Sequence, residues 1–388
     1  MFPKAEAYGK PGDTRVISNP KGAMKREWSR YVYPVADLLK EHQWYASGAP
    51  PIEISRRLSA CLSNAVFALL TDYSRMDGTV NFVQRVLERL VLLAYYALEY
   101  HNEIDDLHMR VQFVHSYGAF MDFYSFWARL SGETGTSCFN SIGNAFAIYL
   151  AWRMTRTLAG EFYTHEQAIA RLGVYLGDDG VSPDLPAASF LKACAAVGFD
   201  ATADVVENPN PGVMFLSRYY GPGIWSGDLE SVCDLRRTLG KFHVTPRVNL
   251  TPKDKLLQKL RCVYYTDRYT PIIGDICRKV FVDLGHLLPM DGLLDTYNMS
   301  VYIPDSQYPN DSTVVGWAEE YARTQMPEFD WEGFKRWLTT VQSLDDILHI
   351  PTFLVPEIKE SKVDVVISGN LIPGQTARSK NWKQIQGK

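Results

Sequence analysis

The sequence predicts a mixed α+β core followed by a lobe of helices, and three observations carry that reading. Short apolar runs that stop at Asp or Gly alternate with helical segments through the middle of the chain. Glycines sit where those helices and turns should end. After about Asp228 the apolar spacing becomes helical and stays so. With 388 residues, 46% of them hydrophobic, the chain can bury a large core. It has room for one multi-lobed unit or two to three domains.

In chain order, the first forty residues are rich in Lys and Arg and poor in apolar periodicity. Tyr45 to Pro51 is a turn-rich break. Ile54 to Ala65 has helical spacing, and the apolar run Asn64 to Leu70 reads as a buried strand ending at Asp72. Phe82 to Tyr100 is expected to be an amphipathic helix, because Arg85, Glu88, Arg89 and Glu99 put a charge on each turn. Gly143 to Leu158 is a second helix, rich in Ala and aromatics. Val174 to Leu176 is a short strand, and Pro186 to Val197 is a helix stopped by Gly198. Thr202 to Val206 and Gly212 to Tyr220 read as strands. Pro252 to Tyr265 and Trp331 to Leu344 are the clearest of the late helices. The tail from Leu371 holds Arg378, Lys380, Lys383 and Lys388 and no acid, so it should be disordered or face RNA.

Composition narrows the function classes. The formal net charge of -4 excludes a uniformly basic nucleic-acid coat but not a local basic channel. Cys61, Cys138, Cys194, Cys233, Cys262 and Cys277 form no CxxC pair, which favours reduced, mostly buried thiols over zinc or disulfides. No apolar run reaches the ~20 residues of a membrane span, and the polar, proline-broken start is no signal peptide.

Three segments carry candidate chemistry. Asp72 ends an apolar strand and Asp77 follows five residues later, past a turn. An Asp at a strand end is usually only a cap. The second segment, Gly177-Asp178-Asp179-Gly180, sets two acids in a glycine-flanked turn. A hairpin tip needs no such pair, and the two charges repel. Clustered carboxylates are how proteins hold Mg²⁺ beside substrate phosphates. The third, Ser131-Gly132-Glu133-Thr134-Gly135-Thr136 with Asn140, is a hydroxyl-rich loop opening a helix. Capping explains Ser and Thr there but not the two glycines with the Asn one turn on.

In order and spacing these segments resemble motifs A, B and C of viral RNA-dependent RNA polymerases. Asp72 and Asp77 match the DxxxxD of motif A. Ser131, Gly132, Thr136 and Asn140 match the SGxxxT…N of motif B, and Gly177-Asp178-Asp179 matches the GDD of motif C. Arg15 to Ile17 with Lys21, Lys25 and Arg26 looks like the basic motif F. Pro186 to Val206 looks like motif D, and Phe215 to Tyr220 like motif E. Among positive-strand RNA viruses, DYSRMDGTV, SGETGTSCFNSIGNAF and FLSRYYGP look most like nodaviruses. The resemblance covers about residues 13 to 225. One departure is that Ala195 stands where many such enzymes carry a proton-donating Lys in motif D, with Lys192 about one helical turn earlier.

The resemblance implies a right-hand polymerase with fingers, an antiparallel palm sheet and a helical thumb. Fingers would occupy 1–66, with inserted fingers residues at about 80–130. The palm would occupy 67–225, the thumb 226–370 and the basic tail 371–388. It implies template-directed RNA synthesis with two Mg²⁺ (or Mn²⁺) ions on Asp72, Asp178 and Asp179. Arg15, Lys21, Lys25 and Arg26 would face the triphosphate, while Asp77, Ser131, Gly132, Thr136 and Asn140 would meet the ribose and nucleotide. Arg218 and Tyr219 would contact the primer. The partners implied are RNA template and product, NTPs and other replicase domains. The location implied is the host cell cytoplasm, at a membrane-associated replication complex reached through sequence outside this chain. A substantial fingers region normally precedes the basic segment, so the chain should be a piece of a larger replicase or an unusually short polymerase.

Three rival readings remain at this point. A reverse transcriptase shares the paired Asp, but Asp77 and Asn140 favour ribonucleotides. A terpene synthase-like metal enzyme could use the acidic patch Glu103 to Asp106, yet the alternating strands disfavour an all-helical fold. A non-catalytic RNA-binding fragment would not need carboxylates at separate strand ends.

Overall fold

A four-stranded antiparallel sheet lies at the centre of the computed structural model. The structure describes residues 1–4, 15–117, 122–208, 212–245, 249–288, 293–295, 300–302, 308–310, 316–354, 365–367 and 370–372. In spatial order the strands are Val174–Leu176, Asp179–Pro183, Phe67–Tyr73 and Ala201–Glu207. Phe67–Tyr73 is an inner strand, paired on both sides and covered on both faces. That double burial is why it reads as an almost continuous apolar run rather than an alternating one.

On one face the helices Thr136–Arg153 and Ala187–Val197 pack against the sheet, with Leu69, Tyr73, Ile148, Trp152 and Phe190 in their shared core. Gly198 ends the second helix at φ 83, the left-handed geometry the sequence predicts for it. Helix Pro51–Leu62 covers the other face, where Leu58 and Leu62 meet Ala68, Val181, Phe215 and Tyr220. The packing thus joins 51–62 to the sheet, on the near side of the boundary expected at residue 66. The helix Thr136–Arg153 starts seven residues earlier than the Ala-rich run suggests, because its first turns are polar yet buried.

A separate helical layer is built by Gly22–Leu39, Phe82–Tyr95, His101–Gln112 and the start of Thr136–Arg153. Trp28, Tyr31, Val35, Leu92, Ile104, Val111 and Phe139 form its core. Two expectations change here. The helix starting at Phe82 stops at Tyr95, and after a short 3₁₀ turn a new helix begins at His101. Its charges also do not all face water: Arg85 and Glu88 are each 2% exposed, while Phe82 and Leu90 are 60% and 55% exposed. Pairing explains the inversion, since Arg85 and Glu88 bond each other and a second buried Arg–Glu pair. On the next helix, Asp105 pairs with Arg89 and Asp106 with Arg110, so the acidic patch is an ion-paired surface and not a metal cluster.

The run Gly212 to Tyr220 folds as a hairpin of Val213–Phe215 and Arg218–Tyr220 rather than as one strand. Leu216 and Ser217 form its turn with φ 51 and 61, the doubly left-handed turn that suits twisted strands. Neither residue carries the usual Asn or Gly signal. Ser231–Cys233 adds a third strand. Beyond it, Pro252–Asp267, Ile273–Arg278, Trp331–Thr340 and Leu344–Leu348 share one apolar core through Leu260, Ile276, Phe334 and Ile347. Asp330 and Ser343 each cap a helix start, which is why the expected helix from Trp331 to Leu344 breaks in two. Among the described residues no helix is long and apolar enough to cross a membrane. The four basic tail residues lie outside the described residues.

Candidate active site

Sheet register assembles the acidic centre. Leu176 pairs with Asp179, leaving Gly177 and Asp178 as a two-residue hairpin turn, and Gly177 takes φ +64. On the neighbouring strand Thr71 pairs with Gly180. Continuing that register one step sets Asp72 beside Asp179, so three carboxylates meet at one end of adjacent strands. Gly180 permits the approach, since a Cβ there would collide with Thr71 Oγ1. Burial and the charges of Asp72 and Asp77 push the Asp178 carboxyl up. Burial, then Asp178 and Asp72, push Asp179 up to about 6. Both residues open to solvent at the sheet's end, which moderates the repulsion without changing its sign.

The hairpin turn is clamped by two residues outside the motif positions read from the sequence. Asn144, fully buried on the helix Thr136–Arg153, donates from Nδ2 to the carbonyls of Gly177, Asp178 and Asp179 at 3.2, 3.4 and 3.3 Å. Its Oδ1 accepts from the Tyr73 hydroxyl at 3.0 Å. One turn earlier, the Ser141 hydroxyl accepts from Gly177 N–H at 2.8 Å. The signal for both is a run of polar residues, Asn140, Ser141 and Asn144, inside an otherwise apolar helix. Buried polar side chains on such a face need partners.

The second half of the site is the loop before that helix. Ser131 Oγ accepts from Ser18 N–H at 3.2 Å, and Gly132 N–H donates to the Ser18 carbonyl at 2.9 Å. Gly132 lies so close to Asn19 that a Cβ would overlap Asn19 Oδ1. The basic N-terminal segment is thereby fastened along the Ser-Gly loop. Thr136 Oγ1 donates within its own loop, 2.9 Å from the Glu133 carbonyl, which shapes the loop at the edge of the pocket that Thr136 also lines. Asn140 Nδ2 donates to Asp77 Oδ1 at 2.8 Å, joining the helix to the segment after Asp72.

A pocket of about 630 Å³ opens over these groups, with Arg15, Arg75, Asp77, Ser131, Asn140 and Asp178 among its walls. Of the expected basic residues only Arg15 lines it. Lys21, Lys25 and Arg26 sit at the start of the helix Gly22–Leu39 and do not. Lys4 and Arg75 line it too, although neither belongs to the basic segment that the sequence points to. Arg218 and Tyr219 are withdrawn into packing. Arg218 pairs with Asp267 at 3.1 Å and donates to Ser231 Oγ at 2.9 Å, while Tyr219 stacks on Tyr321 at 3.6 Å. A primer contact through either side chain is not what this arrangement presents, because both point into the junction with the C-terminal helices.

No protein-family model matches the chain. It is 31% identical over 285 residues to the RNA-directed RNA polymerase of Striped jack nervous necrosis virus, an alignment covering 71% of this chain and 28% of that protein. The corresponding polymerase of Greasy grouper nervous necrosis virus is 32% identical over the same shares. The chain is a relative of the nodaviral RNA-directed RNA polymerases. It spans about 28% of the length of the curated relatives it matches. Among solved structures, the RNA-dependent RNA polymerase of a human picobirnavirus aligns with a TM-score of 0.58 at 16% identity. That alignment covers 69% of this chain and 52% of the other. The fold is that of a viral RNA polymerase, as the motif order predicts. In this nodaviral relative the central sheet holds the paired aspartates, and the helix Thr136–Arg153 holds their turn in place.

Proposed function

We propose that this chain carries the nucleotide-adding centre of a viral RNA-directed RNA polymerase, which extends RNA from NTPs under direction of an RNA template. The observation that carries the reading is the convergence of Asp72 with the Asp178–Asp179 turn beneath a pocket walled by Asp77, Asn140 and Arg15. Palm, fingers and thumb would then correspond to the central sheet with its helices, the N-terminal helical layer, and the C-terminal lobe.

The donor set fits divalent metal. The three groups are carboxylates, the ligands hard cations prefer, and they already repel one another. Among the described residues no three His, Cys, Asp or Glu side chains are grouped as they would be to hold a metal ion. Mg²⁺ or Mn²⁺ here would rest on one or two carboxylates at a time and take its remaining ligands from water and substrate phosphates. Asp72, Asp178 and Asp179 would hold two such ions, which would supply activation of the attacking hydroxyl and neutralisation of charge on the phosphates. The chain's own residues do the positioning. Asp77 and Asn140 face the ribose, Ser131 and Gly132 hold the basic segment against the pocket, and Arg15 brings positive charge to the triphosphate. Its partners would be RNA template, RNA product, NTPs and further replicase domains, at a membrane-associated complex in the host cytoplasm.

The deciding experiment is incorporation of labelled NTPs on a primed homopolymeric RNA with Mg²⁺ or Mn²⁺. Template-complementary, metal-dependent synthesis is expected. Equal use of dNTPs would favour a reverse transcriptase, and RNA binding without synthesis under either metal would sink the reading for this span.

Arg75 belongs to the same proposal. It sits at φ 53 and ψ 48 between the two motif A acids, a conformation that costs a non-glycine residue about 1 kcal/mol. Its side chain is exposed in the pocket and makes no ion pair or hydrogen bond among the described residues. Arg75→Gly keeps the turn and removes the charge. It is expected to raise KM for NTP about tenfold, the size of one lost charge-assisted contact, with an unfolding temperature close to wild type. Steady-state kinetics beside a thermal melt checks both halves.

A further inference from the structure

Four charged side chains, Arg85, Glu88, Arg129 and Glu133, are buried together beside the pocket. Arg85 Nη1 lies 2.9 Å from Glu88 Oε2, and Arg129 Nη2 lies 2.5 Å from Glu88 Oε1. Glu133 closes the group through Arg85 at 3.4 Å and Arg129 at 3.5 Å. His108 reaches Glu88 Oε2 at 3.4 Å. Such a cluster gives little net stability, since apolar residues of the same volume usually do as well. Its geometry is where it differs from an apolar core. Arg129 Nε points out of the cluster and donates to Asn140 Oδ1 at 2.7 Å.

That bond has a chemical consequence. A guanidinium only donates, so the face of the Asn140 amide toward Arg129 must be its oxygen. The amide NH₂ must then face the other way, where it meets Asp77 Oδ1 at 2.8 Å. The pocket is left with a carboxylate oxygen that accepts and a second amide hydrogen that donates. A 2′-hydroxyl is both donor and acceptor, and this pair is its complement. Without Arg129 the amide can turn over and set its oxygen against the Asp77 carboxylate.

We infer that Arg129, held by Glu88, Arg85 and Glu133, is a positioning residue for sugar selection: it fixes the Asn140 amide in the one orientation that lets Asp77 and Asn140 recognise a ribose 2′-hydroxyl. The inference rests on the nucleotide pocket of the proposed polymerase. It extends the recognition apparatus to Arg129, Glu88 and Arg85, which lie behind Asn140 and outside the pocket lining.

The test is calorimetric binding of ATP and dATP, with Mn²⁺ and one RNA primer–template whose primer ends in a 3′-deoxynucleotide and so cannot be extended, to wild type, Arg129→Lys and Glu88→Gln. Lys cannot reproduce the Nε donor at a fixed angle. Glu88→Gln keeps the shape and loosens the guanidinium, and it serves where Arg129→Lys does not fold. Wild type is expected to prefer ATP. The preference should shrink at least about tenfold in Arg129→Lys, the worth of a hydrogen bond to a charged group, and less in Glu88→Gln. Most of the change should come from weaker ATP binding, whereas a purely structural role would weaken both nucleotides alike. An unchanged ATP-to-dATP ratio in the variants, or no preference in wild type, overturns the inference. Because binding is read without turnover, a protein that prefers ATP yet makes no RNA would sink the polymerase reading and leave this one standing.

Discussion

Asp178→Asn is expected to lower NTP incorporation at least about a thousandfold, with RNA binding and fold retained. The change keeps size and hydrogen-bonding reach and removes one of the charges that would hold metal at the hairpin turn. A thousandfold corresponds to about 4 kcal/mol of lost transition-state stabilisation, within what one metal-held charge supplies. The variant should also fold at least as well as wild type without metal. Burial and the neighbouring Asp72 and Asp77 already disfavour the ionised Asp178, so neutralising it relieves repulsion. Primer extension beside circular dichroism checks both parts. Incorporation within tenfold of wild type would show that Asp72 and Asp179 suffice and that Asp178 is not a principal ligand.

Asn144→Leu should damage stability and activity together. The substitution removes the donors to three carbonyls of the Gly177–Asp179 turn and the oxygen that accepts from the Tyr73 hydroxyl. Leaving these buried groups unpaired should cost about 2–4 kcal/mol. Denaturant unfolding measures that loss. Activity should fall even well below the unfolding midpoint, because the acidic turn is freed from the helix that fixes it. Normal activity in a destabilised variant would show that the strand pairing alone holds the turn.

The acidic positions, the order of the motifs and the inner strand are legible in the amino-acid sequence, because each rests on a local signal: an apolar run, a glycine pair, a hydroxyl-rich loop. Those signals are short-range, and the features that escape them are not. Asn144 and Ser141 matter through partners more than thirty residues away. The buried Arg85 and Glu88 defeat the rule that charges face water, because their partners lie beyond residue 128. Arg218 reads as a loose cation until Asp267, from another lobe, is seen to neutralise it. The hairpin at Leu216 and Ser217 lacks the usual turn residues, and the break after Tyr95 has no glycine or proline to mark it. Lys21, Lys25 and Arg26 share the charge expected of a phosphate contact, but the helix that starts at Gly22 carries them off the pocket.

The register of the inner strand also sets which lengths of chain evolution can change. Side chains on a strand alternate between faces, so one residue inserted between Phe67 and Asp72 would turn every following side chain to the opposite face. It would carry Asp72 out of line with Asp179 while leaving the composition almost untouched. Insertions beside Phe123 and Tyr124, which are exposed and among the described residues pair with His115–Tyr117, carry no such penalty. Substitution and length should therefore obey different rules in this protein. The spacing within this one strand should stay fixed among relatives, and indels should gather in exposed segments outside it.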